Sequence, residues 1–174
     1  MAGNRKADVI RATDAEAIGL ARRLMGTARY GALAVLDPAT GAPLASRVAV
    51  APDDDNAPLV LISALSRHTG ALLADPRCSL LLGEPGKGDP LAHPRISLAC
   101  KAIRLERGTP GHARVEHRYL HHHPEAALYA GFTDFSFFRL EPEAADFNGG
   151  FGRAYRLTGT DVLSAGAEAG RAEE

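Results

Sequence analysis

Side chains able to hold an anion are concentrated in residues 63–69 of this 174-residue chain. The polar members of the segment are Ser63, Ser66, Arg67, His68 and Thr69. The segment follows an apolar run and precedes a short helical pattern, so free backbone amides lie beside hydroxyl, guanidinium and imidazole groups. Such a combination is a suitable receptor for a phosphate group. The alternative is a hydroxyl N-cap followed by a solvated arginine, which is common at helix starts.

A second cation, Arg47, stands between Ser46 and Val48 in the middle of a predicted strand. A charged residue in that position either points to solvent or lines a cleft. Arg47 and Arg67 are about twenty residues apart, one within a strand and one after the end of the next. In a meander, neighbouring strands can bring both guanidinium groups to one end of the sheet. The spacing therefore predicts a two-arginine phosphate site, with solvation of Arg47 as the alternative.

A glycine-rich segment at residues 148–152 begins with Asn148 and contains Gly149, Gly150 and Gly152. Glycine permits unusual backbone angles and the close approach of a ligand. The segment is not a dinucleotide-binding fingerprint, because no helix is predicted to follow it in a βαβ unit. Ligand contact by this segment and a plain glycine turn are therefore equal alternatives.

Five histidines lie in or just after a predicted helix, namely His112, His117, His121, His122 and His123. The spacing of His117 and His121 is one that can bind zinc or copper. No glutamate stands between them as in metalloproteases, and the helix carries several other charges, so a solvated polar face is the preferred interpretation. We predict no metal site. The sequence also identifies no catalytic acid, base or nucleophile, since no spacing certifies a triad.

The overall composition is typical of one globular domain, and the low net charge does not indicate a strongly charged binding partner. Hydrophobic residues make up 45% and charged residues 24% of the chain, and the net charge is −1. We therefore expect no nucleic-acid binding and no membrane binding. Cys78 and Cys100 stand in apolar runs, which indicates small buried side chains in a reducing compartment. No apolar stretch follows the first charges, so no signal peptide is predicted and we expect a cytoplasmic protein.

Hydrophobic periodicity predicts short strands with helices inserted between them and no regular βαβ alternation. The predicted helices cover about residues 14–27, 68–75, 110–122 and 124–130, and Thr13 with Glu16 reads as a capping box at the first. The predicted strands are residues 31–36, 43–51, 58–63, 78–82, 95–106, 134–140 and 144–148. This pattern favours a mainly β fold, an antiparallel Greek-key-like barrel with peripheral helices.

The expected domain organisation is a single barrel with short extensions. Residues 1–12 are predicted to form an N-terminal extension, and residues 13–160 the folded domain. Residues 161–174 are small and charged and are predicted to form a flexible C-terminal tail.

The order of these motifs resembles one known family. The chain is similar to FMN-binding split β-barrels related to pyridoxamine 5′-phosphate oxidase, and especially to their haem-utilisation (HugZ-type) branch. The similarity extends over about residues 14–157. It is carried by residues 43–48, 61–69, 72–81, 89–98, 119–124 and 147–154.

The resemblance implies an FMN-binding homodimer with flavin sites at the subunit interface. Arg47, Arg67 and His68 would contact the FMN phosphate. The other implied cofactor-binding residues are Val48, Ser63, Ser66, Thr69, Asn148 and Gly150. The function that follows is an FMN-dependent oxidoreductase acting on an unknown small-molecule substrate.

Two features of the sequence depart from the relatives. Pro52 stands where the oxidases carry a substrate-contacting lysine, which argues against pyridoxamine phosphate as the substrate. The HugZ-type proteins typically carry a further C-terminal domain with haem contacts, and we expect this chain to lack one, which argues against haem cleavage. The alternatives to an oxidoreductase are a non-catalytic flavin or haem carrier involved in haem utilisation, and a structural dimer that binds no flavin.

Overall fold

The computed structural model describes residues 10–150 and 152–164. Within these ranges, nine strands form one sheet: β1 (Ile10–Arg11), β2 (Tyr30–Leu36), β3 (Pro43–Ala49), β4 (Ala51–Pro52), β5 (Pro58–Ser63), β6 (Arg77–Leu82), β7 (Arg95–Arg104), β8 (Phe135–Asn148) and β9 (Ala154–Thr158). The helices are α1 (Ala15–Thr27), α2 (Arg67–Ala74), α3 (Pro110–His122) and α4 (Gly159–Val162). Short 3-10 turns cover Pro90–Ala92 and Pro124–Leu128.

The sheet order is β1-β9-β8-β7-β6-β2-β3, and all pairings except β1 with β9 are antiparallel. Strand β8 closes the barrel because its two ends pair with different strands. Residues 135–139 pair with β5, and residues 144–148 pair with β9. The predicted mainly antiparallel barrel with peripheral helices is confirmed.

The structure corrects the predicted boundaries at several places. The strand predicted at 43–51 divides into β3 and β4, and the helix predicted at 124–130 is a 3-10 turn. The strands expected at 134–140 and 144–148 are one strand, because a register shift opposite Ala99 and Cys100 accommodates Pro142 within β8. The N-cap of α1 is Asp14, whose side chain accepts from the amide of Ala17, while the hydroxyl of Thr13 donates to the carbonyl of Arg156. Strands β1 and β9 and helix α4 had no sequence prediction.

The folded barrel includes some residues of both predicted extensions. Ile10 and Arg11 pair with β9, and Val162 in α4 is fully buried. Most of the predicted C-terminal tail, residues 165–174, and most of the N-terminal extension, residues 1–9, lie outside the described residues.

Two hydrophobic clusters hold the elements together. The larger fills the barrel and receives Ala17, Ala21 and Met25 from α1. The smaller lies between β5, the start of β8 and α3, which contributes Val115 and Tyr119. Because β5 is covered on both faces, nearly all its side chains are buried, whereas β2 alternates between buried and exposed positions. No helix in the described ranges is long and apolar enough to cross a membrane.

A group of ion pairs fastens the turn after β4 to α3 and β8. The carboxylate of Asp53, only 2% exposed, accepts from the guanidinium groups of Arg114 and Arg139. Asp54 pairs with Arg114 and Arg118 at 2.6 Å. Arg139 also forms an ion pair with Asp55. The prediction of a solvated polar face on α3 is therefore wrong for its arginines, which bind the turn.

The histidines in and just after α3 divide between surface and interior. His117 and His121 are exposed, as expected. His112 and His123 are buried, and Nε2 of His123 lies 2.8 Å from the carbonyl oxygen of Val50. Among the described residues, no three metal-binding side chains converge on one point.

The two cysteines are free thiols that lie directly opposite each other on β6 and β7. Cys100 is buried and Cys78 is partly buried. Burial raises the pKa of the Cys78 thiol to about 12, so little thiolate is present at neutral pH.

Candidate functional site

Arg47 and His68 line one groove, together with Val48, Ser63 and Ser66. We call this cavity of about 260 Å³ the Arg47 groove. Strand β3 supplies Arg47, the end of β5 supplies Ser63, and the start of α2 supplies the remaining polar groups. The structure thus brings together five of the predicted site residues.

An aromatic wall formed by Tyr119, Tyr129 and Phe135 completes the Arg47 groove. The rings of Tyr129 and Phe135 lie 4.8 Å apart, and the hydroxyl of Tyr119 is 3.4 Å from the carbonyl oxygen of Ala49. Burial raises the pKa of Tyr119, so its hydroxyl keeps its proton. Sequence reasoning did not assign these three residues to the site. Only the position of Tyr119 one turn after Val115, on the apolar side of α3, could have indicated it.

A second opening, of about 590 Å³, lies on the exposed face of the sheet and also contacts Arg47. We call it the outer cavity, and Tyr30, Ala32, Leu81 and Glu84 contribute to its walls. The guanidinium of Arg47 lies 5.5 Å from the centroid of the Tyr30 ring. Arg47 therefore stands between two openings and can bind an anionic group from either.

His68 lines the Arg47 groove and has one unsatisfied ring nitrogen. Its Nε2 is buried and has no hydrogen-bond partner, which is true of no other side-chain nitrogen or oxygen in the part of the chain that the structure describes. Burial lowers the pKa of His68, so the imidazole is neutral at pH 7. An unpaired buried polar atom is costly, and a ligand that satisfies it would recover that cost.

The hydroxyl groups of the segment 63–69 have different roles. Ser66 is the N-cap of α2 by position, yet its side chain makes no capping hydrogen bond. Thr69 is buried and donates to the carbonyl oxygen of Ser63 at 2.7 Å, and the Ser63 hydroxyl donates to Asp134 at 2.8 Å. The polar groups that remain available to a ligand are therefore those of Arg47, Ser66 and His68.

Arg67 does not join the Arg47 groove. Its Nη2 donates to the carboxylate of Asp37 at 2.6 Å, in the turn between β2 and β3. Successive residues of a helix point about 100° apart, so His68 faces the groove while Arg67 faces away. The structure therefore differs from the expected arrangement of two guanidinium groups facing one phosphate.

Asn148 and Gly150 lie at the turn between β8 and β9 and line neither the Arg47 groove nor the outer cavity. The Oδ1 of Asn148 accepts from the amide of Gly150 at 2.9 Å. Gly150 has φ +84°, and a Cβ there would collide with the carbonyl oxygen of Ala92. The backbone geometry and the close approach of Ala92 explain structurally why glycine occupies position 150. Phe151 lies outside the described residues.

Comparison with known proteins identifies the fold family. Residues 12–162 match the family model described as CREG, beta-barrel. The chain is 37% identical over 120 residues to the non-canonical heme oxygenase HOZ, chloroplastic, of Arabidopsis thaliana. This match covers 68% of the chain but only 36% of HOZ, so the chain spans about a third of that relative's length.

Two solved structures show the same architecture. A heme binding protein from Mycobacterium smegmatis is 30% identical with a TM-score of 0.79, over 87% of this chain and 61% of that one. A FAD-binding protein from Mesorhizobium loti is 18% identical with a TM-score of 0.60, over 78% of this chain and 94% of that one. The second likeness shows the fold alone.

Proposed function

The chain belongs to the CREG β-barrel family, with a split barrel like that of pyridoxamine 5′-phosphate oxidase, and from this premise we propose that it binds haem at the Arg47 groove. The observation that carries the proposal is the unpartnered Nε2 of His68 beside a cation and an aromatic wall. Similarity to HOZ, which is named as a heme oxygenase, and to the mycobacterial heme binding protein supports the proposal.

The residues of the groove fit the chemical parts of a haem. Arg47 can bind a propionate carboxylate, and the rings of Tyr129 and Phe135 offer an apolar surface to the macrocycle. The imidazole of His68 is neutral, which is the form in which histidine binds haem iron. When bound, haem supplies the iron-centred redox and oxygen chemistry.

Haem breakdown is the activity that we propose for the complex, since the relative HOZ is named as a heme oxygenase. The purified protein is titrated with haemin, and reductant is added in air. Loss of the Soret band with release of iron would support breakdown. A stable Soret band would instead assign the protein to haem carriage.

FMN is the second candidate ligand, and the free hydroxyl of Ser66 favours it. Ser66 stands at the start of α2 without capping the helix, so its hydroxyl and the first amides of α2 can serve a phosphate. Arg47 lines the same groove and can supply the positive charge. On this proposal the protein would be a flavoprotein oxidoreductase, as the family resemblance implies.

Substitution of Arg47 by alanine should weaken binding of the resident cofactor about ten- to a hundredfold, which corresponds to one lost charge-assisted hydrogen bond. Haemin titrations followed at the Soret band and FMN titrations followed by flavin fluorescence measure the change. Arg67→Ala is the matched control. It removes the same charge from a residue paired with Asp37, and should leave affinity within about twofold of wild type.

Two further variants separate the candidate ligands. If haem is the ligand, His68→Ala should shift the Soret maximum of the complex. If FMN is the ligand, Ser66→Ala should weaken FMN binding but leave riboflavin binding unchanged, because riboflavin lacks the phosphate. Unchanged affinity for both cofactors in Arg47→Ala would move the site away from this groove.

We propose that the protein is a homodimer whose partner covers the exposed side of β2, β3 and β6, the outer sheet face. Tyr30, Leu36 and Leu81 are between 37% and 43% exposed on this face, with Ala32 and Ala45 between them. The outer cavity and Arg47 open on the same face, so a second copy would complete the cofactor site. Contiguous exposed apolar surface of this kind marks an interaction site.

Light scattering at micromolar concentration should give the mass of a dimer, with an interface of about 2,000 Å² or more in total. Leu81→Lys places a charge in the outer sheet face and should shift the protein toward monomer. Leu128→Lys is the matched control, since Leu128 is 81% exposed on a 3-10 turn that is not part of β2, β3 or β6. A wild-type monomer would contradict the proposal.

We further propose a reducing compartment such as the cytoplasm. Cys78 and Cys100 are opposite each other in register and are free thiols, which supports a location where disulfides do not form.

A further inference from the structure

We propose that a second cavity, lined by Arg104, Arg107 and His112, binds a small organic carboxylate. We call it the Arg104 cavity; it has a volume of about 410 Å³ and lies between the end of β7, the start of α3 and the start of β8. Its size is within the range of small-molecule sites. The proposal does not rest on cofactor binding at the Arg47 groove.

Neither guanidinium group in the Arg104 cavity is neutralised. Among the described residues, neither Arg104 nor Arg107 has an acidic side chain within 4 Å, whereas Arg114, Arg118 and Arg139 are all paired. Nη2 of Arg104 donates only to the hydroxyl of Ser136, at 3.0 Å. Its other N–H groups are available to a carboxylate, which guanidinium can bind through two parallel hydrogen bonds.

Arg107 is held in place by the backbone rather than by a charge. Its Nη2 donates to the carbonyl oxygens of Ala130, Phe132 and Phe135, at 3.3, 2.9 and 3.1 Å. These contacts fix the guanidinium at the cavity wall and leave its charge uncompensated. A pre-positioned cation binds an anion with less loss of side-chain freedom.

The position of His112 also indicates that the cavity binds a ligand. The residue is only 5% exposed, lines the cavity, and makes no side-chain hydrogen bond to any described residue. The carboxylate of Glu116 lies 3.7 Å from its Nδ1, and its ring packs on Phe137. An imidazole at a cavity wall whose ring nitrogens make no hydrogen bond can donate to an oxyanion.

The balance of charge and apolar surface selects the ligand class. Glu106 also lines the cavity but forms no ion pair with Arg104 or Arg107, so the arginine and glutamate side chains of the lining sum to a net charge of about +1. A monoanion matches that charge better than a phosphate dianion. Leu105 and Phe135 provide an apolar wall, which favours a carboxylate attached to a hydrophobic body. Phe135 also lines the Arg47 groove, so the two cavities share this residue.

The test is a titration of the full-length protein with sodium benzoate and, separately, with inorganic phosphate. Imidazole resonances of His112 and Nε–Hε resonances of the arginines are followed by NMR. Benzoate should shift the resonances of His112 and Arg104 saturably, with a dissociation constant below about 1 mM. Phosphate should bind at least tenfold more weakly.

Three variants make the result specific. Arg104→Gln and His112→Phe should each weaken benzoate binding at least fivefold, and phenylalanine retains the ring packing against Phe137. Arg23→Gln, which removes an exposed charge from α1, should change nothing. Absence of saturable shifts in wild-type protein, or equal binding of phosphate and benzoate, would overturn the proposal. Unchanged benzoate affinity in both cavity variants would overturn it as well.

Discussion

Replacement of Asp53 by asparagine should reduce the free energy of unfolding by about 3 kcal/mol, because it breaks a buried ion pair by removing one partner. The Asp53 carboxylate is 2% exposed and accepts from Arg114 and Arg139, whose side chains are 49% and 17% exposed. Arg139 keeps Asp55 and Glu141 as partners, so we expect the lower end of the range for buried pairs.

Asp54→Asn is the matched control for Asp53→Asn. It makes the same chemical change one residue away, on a side chain that is 47% exposed and pairs with Arg114 and Arg118. An exposed pair contributes under about 1 kcal/mol. Urea unfolding measures both variants, and the melting temperature of Asp53→Asn should fall by about 6–12 °C. Equal losses in the free energy of unfolding for the two variants would show that burial of Asp53 does not determine its contribution to stability.

The same turn should make stability depend on pH. Burial would raise the pKa of Asp53, but hydrogen bonds from Arg114, the Asp54 amide and Arg139 outweigh it and hold the pKa below its usual value. Arg139 likewise lowers the pKa of Asp55. This stabilisation is present above the unfolded-state pKa of about 3.9 and is lost as the pH falls through the folded-state values. Urea unfolding below pH 4 should therefore show a smaller loss in Asp53→Asn than in wild type.

Replacement of Gly150 by alanine should destabilise the protein by about 3 kcal/mol, from left-handed backbone strain together with a steric collision. Gly150 has φ +84°, and its new Cβ would meet the carbonyl oxygen of Ala92, which is backbone and cannot rotate away. Thermal unfolding followed by circular dichroism measures the effect.

Gly152→Ala isolates the collision from the backbone strain. Gly152 also has a left-handed φ, of +71°, but no atom of the described residues beyond its chain neighbours lies within 4 Å of its Cβ position. Alanine there should cost only about 1 kcal/mol. If the two variants lose the same stability, the contact with Ala92 has no energetic weight, and ligand contact would be the better reason for a glycine at position 150.

The sequence was sufficient to predict the architecture, because hydrophobic periodicity and turn residues are local signals. The helix from Pro110 to His122 begins at a threonine cap and a first-turn proline, and both are visible in the chain. Strand β8 was predicted as two strands because Pro142 and the acidic residues around it interrupt the pattern. Only the pairing with β7 shows that a register shift absorbs the interruption.

The site was predictable in part for a similar reason. Residues 63–69 and Arg47 were recognisable from side-chain chemistry, and the fold brings Arg47, Ser66 and His68 to one groove. The orientation of Arg67 toward Asp37 was not predictable, because it depends on a turn thirty residues earlier in the chain.

The sequence by itself therefore determined the class of fold and the chemical groups available for an anionic cofactor, since both follow from residue types and short-range spacing. The tertiary structure decided which of those groups share a cavity, which are consumed by internal contacts, and which are left unsatisfied. His68 and Thr69 are adjacent in the chain, yet the hydroxyl of Thr69 donates a hydrogen bond within the fold whereas Nε2 of His68 has no partner. That difference arises from long-range packing around each side chain, which no local pattern encodes.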